Sequence, residues 1–186
     1  MTRDDLVRFC GLDIDFGAIG LMESGVPQPP YFCTPAGAQY VGRLGCDGVH
    51  FILLPEDERV FCVDPAMGDI GSYVLPVGEN FRQFLSFILF CRDANPIRQI
   101  HWLDEVRFRR LLAEDRAPAA WSGREALLER KNAALSAVTD SFGLEPVDPY
   151  CRVKALQADF DGCSLCFSDE YYDILGLDPR DPFSAH

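Results

Sequence analysis

Between residues 40 and 91, short apolar runs separated by turn signals lead directly into an almost wholly apolar segment, which marks a packed core. The runs at 40–46 and 49–54 flank Asp47 and Gly48, a pair suited to positive φ in a tight hairpin turn. Pro55, Glu56, Asp57 and Glu58 then part the second run from 60–63, and a further run follows at 73–77. Asn80, with Gln83 three residues later, signals a helix start. Phe81, Phe84, Leu85, Ile88 and Leu89 give that helix one apolar face, widened by Phe87 and Phe90.

This pattern predicts an α+β fold. A small antiparallel or mixed sheet, with strands near 40–46, 49–54, 60–63 and 73–77, packs against helices near 80–91, 104–114 and 122–142. Asn95 and Pro96 interrupt the first helix. Asp104 opens the second, with Phe108, Leu111 and Leu112 inward and Arg107, Arg109 and Arg110 mostly outward. The third carries a capping-box pattern from Ser122 to Glu125 and ends at Gly143. Residues 152–160 suit either a strand or a short helix, and 169–175 read as a final amphipathic turn or two.

The length of 186 residues suits a single domain over 1–186. Gly17, Gly20 and Gly25, followed by Pro27, Pro29, Pro30 and Pro35, make 1–39 read as an irregular N-terminal arm. Residues 121–186 read as a C-terminal helical extension, with Ala117 to Ala120 as the joint. No apolar run is long enough to span a bilayer. The acidic start at Asp4 and Asp5 lacks the basic region of a signal peptide, so a cytoplasmic protein is expected.

That compartment keeps thiols reduced, so the eight cysteines read as small hydrophobes, with Cys46, Cys62 and Cys91 in the core. Cys163 and Cys166 have ligand spacing, but no second pair of Cys or His accompanies them, and no metal or cofactor is expected. None of His50, His101 and His186 falls in a nucleophile or metal motif. His50 is expected on an edge strand, His101 packs beside Trp102 at a helix entry, and His186 reads as tail. Asp13 and Asp15, two apart, are the one enzymatic hint: a small metal-dependent hydrolase with paired carboxylates. No catalytic residue is otherwise assigned.

Charge narrows the partners: 29 acidic against 17 basic residues give −12, which repels phosphate backbones and favours encounter with a cationic protein. Glu56, Asp57 and Glu58, with Asp69 in the next turn, are the expected partner-binding residues.

Gly45 to Ile52, Val60 to Pro65, Tyr73 to Val77 and Asn80 to Leu85 together resemble an SMI1/KNR4 (SUKH) domain over about 40–112. The resemblance implies a compact α+β fold opening on a helix, where Gly and Pro spacing instead reads as an irregular arm. It also implies a non-enzymatic binding function, as in bacterial immunity proteins that neutralise a toxin, often a nuclease.

Overall fold

The computed structural model describes residues 2–45 and 47–178, which leaves the expectations for Cys46 and His186 outside the described residues. The chain is α+β. Among the described residues it forms α1 (Thr2–Cys10), β1 (Gln39–Arg43), β2 (His50–Leu53), β3 (Val60–Val63), β4 (Val74–Gly78), α2 (Phe81–Cys91), α3 (Asn95–Gln99), α4 (Glu105–Arg116), α5 (Glu125–Phe142), α6 (Tyr150–Ala158) and α7 (Asp169–Leu175). Short 3-10 turns at Phe16–Ile19, Pro118–Trp121 and Gly162–Ser164 join some of them.

The sheet is a meander in the order β1-β2-β3-β4, antiparallel throughout. Side chains alternate between its faces. Phe51, Leu53, Val60, Cys62 and Val77 enter the larger core against α2, while Ile52, Leu54, Phe61, Val63 and Val74 enter a second core. Burial on both faces explains why β2 and β3 read as continuous apolar runs instead of alternating ones.

The expected irregular arm over 1–39 is corrected at its start. Thr2–Cys10 is helical, with Asp4 and Asp5 in the first turn, Arg8 in the last, and Leu6 and Phe9 buried one turn apart. Thr2 ties α1 down: its N–H donates to Glu58 at 2.8 Å. Phe9 meets Phe16 and Phe81 edge-on at 5.1 and 5.4 Å.

Asn80 caps α2 as its sequence predicts, accepting from the Gln83 N–H at 2.9 Å, while Gln83 reaches back to the Glu79 N–H at 2.8 Å. Arg92 ends the helix in the left-handed region at φ 65°, and Pro96 lies in the first turn of α3. Of residues 152–160, all up to Ala158 are helical, within α6, and Asp159 ends the helix. The capping box at α5 forms only in part. Arg124 occupies the cap position without a side-chain bond, and Glu125 accepts from Gly123 at 2.9 Å. The other end of α5 is better served. Arg82 donates to the Phe142 carbonyl at 2.6 Å, Arg8 donates to that of Ser141, and both guanidiniums lie over the Phe142 ring. Cations there oppose the negative end of the helix dipole.

Residues 121–178 are no appended extension. Ala134, Leu135, Val138 and Phe142 of α5, with Val153 of α6, complete the larger core. Residues 160–177 then cross the second face of the sheet, where Phe160 packs on Phe61 at 5.4 Å and Tyr171 on Tyr73 at 6.1 Å. Gly162 permits the crossing: a Cβ there would lie 2.0 Å from the Gly71 carbonyl oxygen.

Both sheet edges are protected. Met22 and Arg43 exchange backbone hydrogen bonds beside β1, at 2.9 and 3.0 Å. Along β4, Pro76 removes a donor and Gln157 of α6 donates to its carbonyl at 3.3 Å.

Candidate binding cleft

The expected surface residues do not form one patch. Glu56, Asp57 and Glu58 occupy the turn before β3 and Asp69 the turn after it, so the strand separates them. Asp57 is held by a chelating Arg59 at 2.7 to 3.1 Å; burial pushes its carboxyl up, but those donors bring it below the usual range. Glu58 accepts from the Thr2 N–H, and its carboxyl is lowered by the hydrogen bonds from Thr2. Glu56 and Asp69 are exposed.

The Asp13 and Asp15 pair divides as well. Asp13 is exposed, while Asp15 caps the turn at Phe16–Ile19 by accepting from Ala18 at 3.2 Å and pairs with Arg130 at 3.0 Å. Cys163 and Cys166 are exposed free thiols, and Cys62 and Cys91 are buried ones. Among the described residues no three His, Cys, Asp or Glu side chains gather where a metal ion could be held.

The structure instead gathers polar groups around His50. In the meander β2 is an interior strand, so the expected edge position of His50 is corrected; the side chain is 4% exposed. Its Nδ1 lies 2.8 Å from the Gly48 carbonyl, which can only accept, so Nδ1 carries the proton. Nε2 then accepts from the Thr34 hydroxyl at 3.1 Å, and the Thr34 oxygen accepts from the Tyr31 N–H at 2.9 Å. Burial favours the uncharged imidazole, and in that form His50 and Thr34 each donate once and accept once.

Tyr31 and Tyr40 lie nearly parallel to the imidazole, with centroids 5.7 and 5.9 Å away. Tyr31 reaches this position because residue 48 is glycine: a Cβ there would lie 2.4 Å from the Tyr31 ring, and φ is +69°. A bulge between Tyr40 and Gly42 brings Arg43 opposite His50, on the same face as Tyr40 although the two are an odd number of positions apart. Arg43 is gripped by both oxygens of Glu23, at 2.5 and 2.7 Å.

These side chains line a cleft of about 610 Å³, bounded also by Gln28, Pro29, Pro30, Pro35, Asp47 and Ser168. The Tyr40 hydroxyl is buried at its wall without a hydrogen-bond partner among the described residues. Burial, then the charge of Glu23, push its pKa up to about 12, so it stays protonated. The Arg43 donors hold the Glu23 carboxyl below the usual range. Comparison with known protein families, characterised proteins and solved structures gives no match to the chain.

A second polar cluster lies past the far end of β3. Asp64, 4% exposed, accepts from Arg98 at 2.6 Å, and Arg98 stacks over Trp102 at 5.2 Å. His101 is half-buried beside it, and burial, then the nearby Lys154 charge, lower its pKa. This cluster binds α3 to the sheet and encloses almost no free volume.

The sequence marks His50 only as a strand residue and its surroundings not at all. Thr34, Tyr31, Tyr40, Glu23 and Arg43 carry no motif and meet only through folding; the one local signal was the Asp47 and Gly48 turn.

The buried imidazole makes stability depend on pH. Burial lowers the His50 pKa beneath its ordinary 6.5, outweighing the Gly48 hydrogen bond that raises it. The unfolded chain therefore takes up a proton first as pH falls, so this contribution is intact above about 6.5 and is lost towards the folded pKa. Melting curves of the wild type should fall more steeply below that pH than those of His50→Gln, and parallel profiles would exclude His50 as the source.

Proposed function

We propose that this chain is a non-enzymatic protein-binding module of SMI1/KNR4 type, an immunity protein that covers and neutralises a cationic toxin such as a nuclease. The carrying observation is how its charge is arranged. Arg3, Arg82 and Arg116 donate to the carbonyls of Leu54, Phe142 and Phe90, each at 2.6 Å, and Lys154 to that of His101 at 2.8 Å. Arg98 and Lys131 are sunk in ion pairs. These six cations are thus engaged by the fold; Arg107, Arg110, Arg124, Arg130 and Arg152 face solvent, but so do Asp13, Asp47, Glu56, Asp69, Glu129 and Glu145, and acids outnumber bases overall. With −12 overall, such a surface attracts a basic protein over long range and speeds docking.

Two features of the fold support the family part of the reading. The resemblance implies an opening helix, and α1 supplies one; it implies a compact α+β core over 40–112, and β1 to β4 with α2 and α4 lie there. The hydrolase reading gains no such support, since Asp15 is engaged in capping and in an ion pair.

The test is co-expression with a toxin encoded beside its gene, followed by stopped-flow association. Growth rescue is expected, with an association rate that falls steeply as salt rises. Neutralising Glu56 and Asp69 should slow association further at low salt. A rate indifferent to salt and to both substitutions would remove the electrostatic basis of the reading.

A further inference from the structure

We propose that the His50 cleft is an anchor site for a basic side chain, arginine or lysine, projecting from a protein partner. This inference rests on the reading of the chain as a binder of cationic proteins and names the contact that would give such binding its specificity.

The lining offers π faces and neutral hydroxyl and amide groups, and little free positive charge. Tyr31 and Tyr40 present aromatic rings, and a guanidinium or ammonium is drawn to such faces. His50 adds no repelling charge, because burial in the sheet favours its uncharged form over the Gly48 hydrogen bond that opposes this. The buried Tyr40 oxygen has no partner among the described residues, so a shift of the ring that exposed it to an incoming N–H would satisfy it. Among the described residues Arg43 is the one cation on the lining, and both oxygens of Glu23 already hold it. Asp47 at the mouth is exposed, which leaves the lining with a net negative charge.

Shape separates a side chain on a protein from a small free cation. At about 610 Å³ the cleft falls in the range of ligand-sized pockets, too large for one ammonium or guanidinium group. An arginine on a peptide fills it better, because the neighbouring backbone can lie against Pro29, Pro30 and Pro35. Tyr31 is 48% exposed and so reachable from outside.

The probes are capped Gly-Arg-Gly, its norleucine and glutamate counterparts, and free spermidine, each titrated into the full chain and followed by the ring proton resonances of Tyr31, Tyr40 and His50. The arginine peptide should shift all three rings and saturate, with the norleucine and glutamate peptides far weaker. Tyr31→Leu, which keeps bulk but removes the π face, should weaken the arginine peptide by about two- to fivefold. Tyr40→Phe should weaken it while leaving the ring stack in place. Equal binding of the norleucine peptide would overturn the proposal, and so would spermidine binding more tightly than the arginine peptide. The outcome is separable from that of the wider reading. Peptide binding without any basic protein partner would keep the anchor and discard the immunity role. A salt-sensitive partner indifferent to Tyr31→Leu and Tyr40→Phe, with no peptide binding, would do the reverse.

Discussion

Asp93→Ala is expected to destabilise the protein by about 3–5 kcal/mol, because it strands a buried ammonium. Lys131 lies on α5 with its side chain only 6% exposed, and its Nζ meets the Asp93 carboxylate at 2.8 Å and the Trp121 ring at 5.1 Å. With Asp93 gone, the ring alone faces that charge. The same carboxylate caps the Asn95 N–H at 2.9 Å, so the substitution also loosens the start of α3. Lys131→Met should cost less, since it removes the charge, keeps an unbranched stem, and leaves Asp93 with its Asn95 bond and partial access to water. The double variant should recover part of what Asp93→Ala loses, and urea unfolding of all four proteins would give the coupling. Equal losses for the two single variants would show that burial of Lys131 is not the controlling cost.

Phe84→Ala should cost a similar amount, about 3–5 kcal/mol, by a different route. Phe84 is fully buried between α2 and the sheet, with its ring 5.0 Å from Phe51 and 6.4 Å from Phe81. The backbone at Gly78 is pressed against it: a Cβ there would lie 3.1 Å from the Phe84 Cβ. Rigid neighbours of this kind cannot collapse into the space, so the cavity remains. Phe84→Leu should lose less, and a midpoint shift in urea as small as that of a surface substitution would show that the site does relax.

The strands were legible because each apolar run ends at a residue with its own backbone chemistry. Asp47 and Gly48 both take positive φ, as their pairing predicts, and so does Glu56 in the next turn. Asn80, Asp104 and Gly143 act as the caps their types suggest. The opening helix was hidden by its neighbours in the chain. Leu6 and Phe9 carry a single turn of periodicity, too little to stand out beside the glycines and prolines after residue 10, and tertiary contact with Phe81 supplies the rest. His50 was misplaced because edge or interior position depends on whether the following run also pairs with β2, which no local pattern records. The cleft was least legible of all, since Thr34 and Tyr31 come from the segment whose prolines mark only the absence of regular structure.

The cover that residues 160–177 lay over the second face of the sheet bears on how the protein is made. A ribosome releases β1 to β4 well before that cover exists, so Ile52, Phe61, Val63 and Val74 stay bare on the nascent chain for on the order of seconds. A stop codon or protease cut just before Phe160 would make that interval permanent. Such a fragment would keep the His50 and Thr34 side chains, yet its fate in the cell would be capture by chaperones or precipitation.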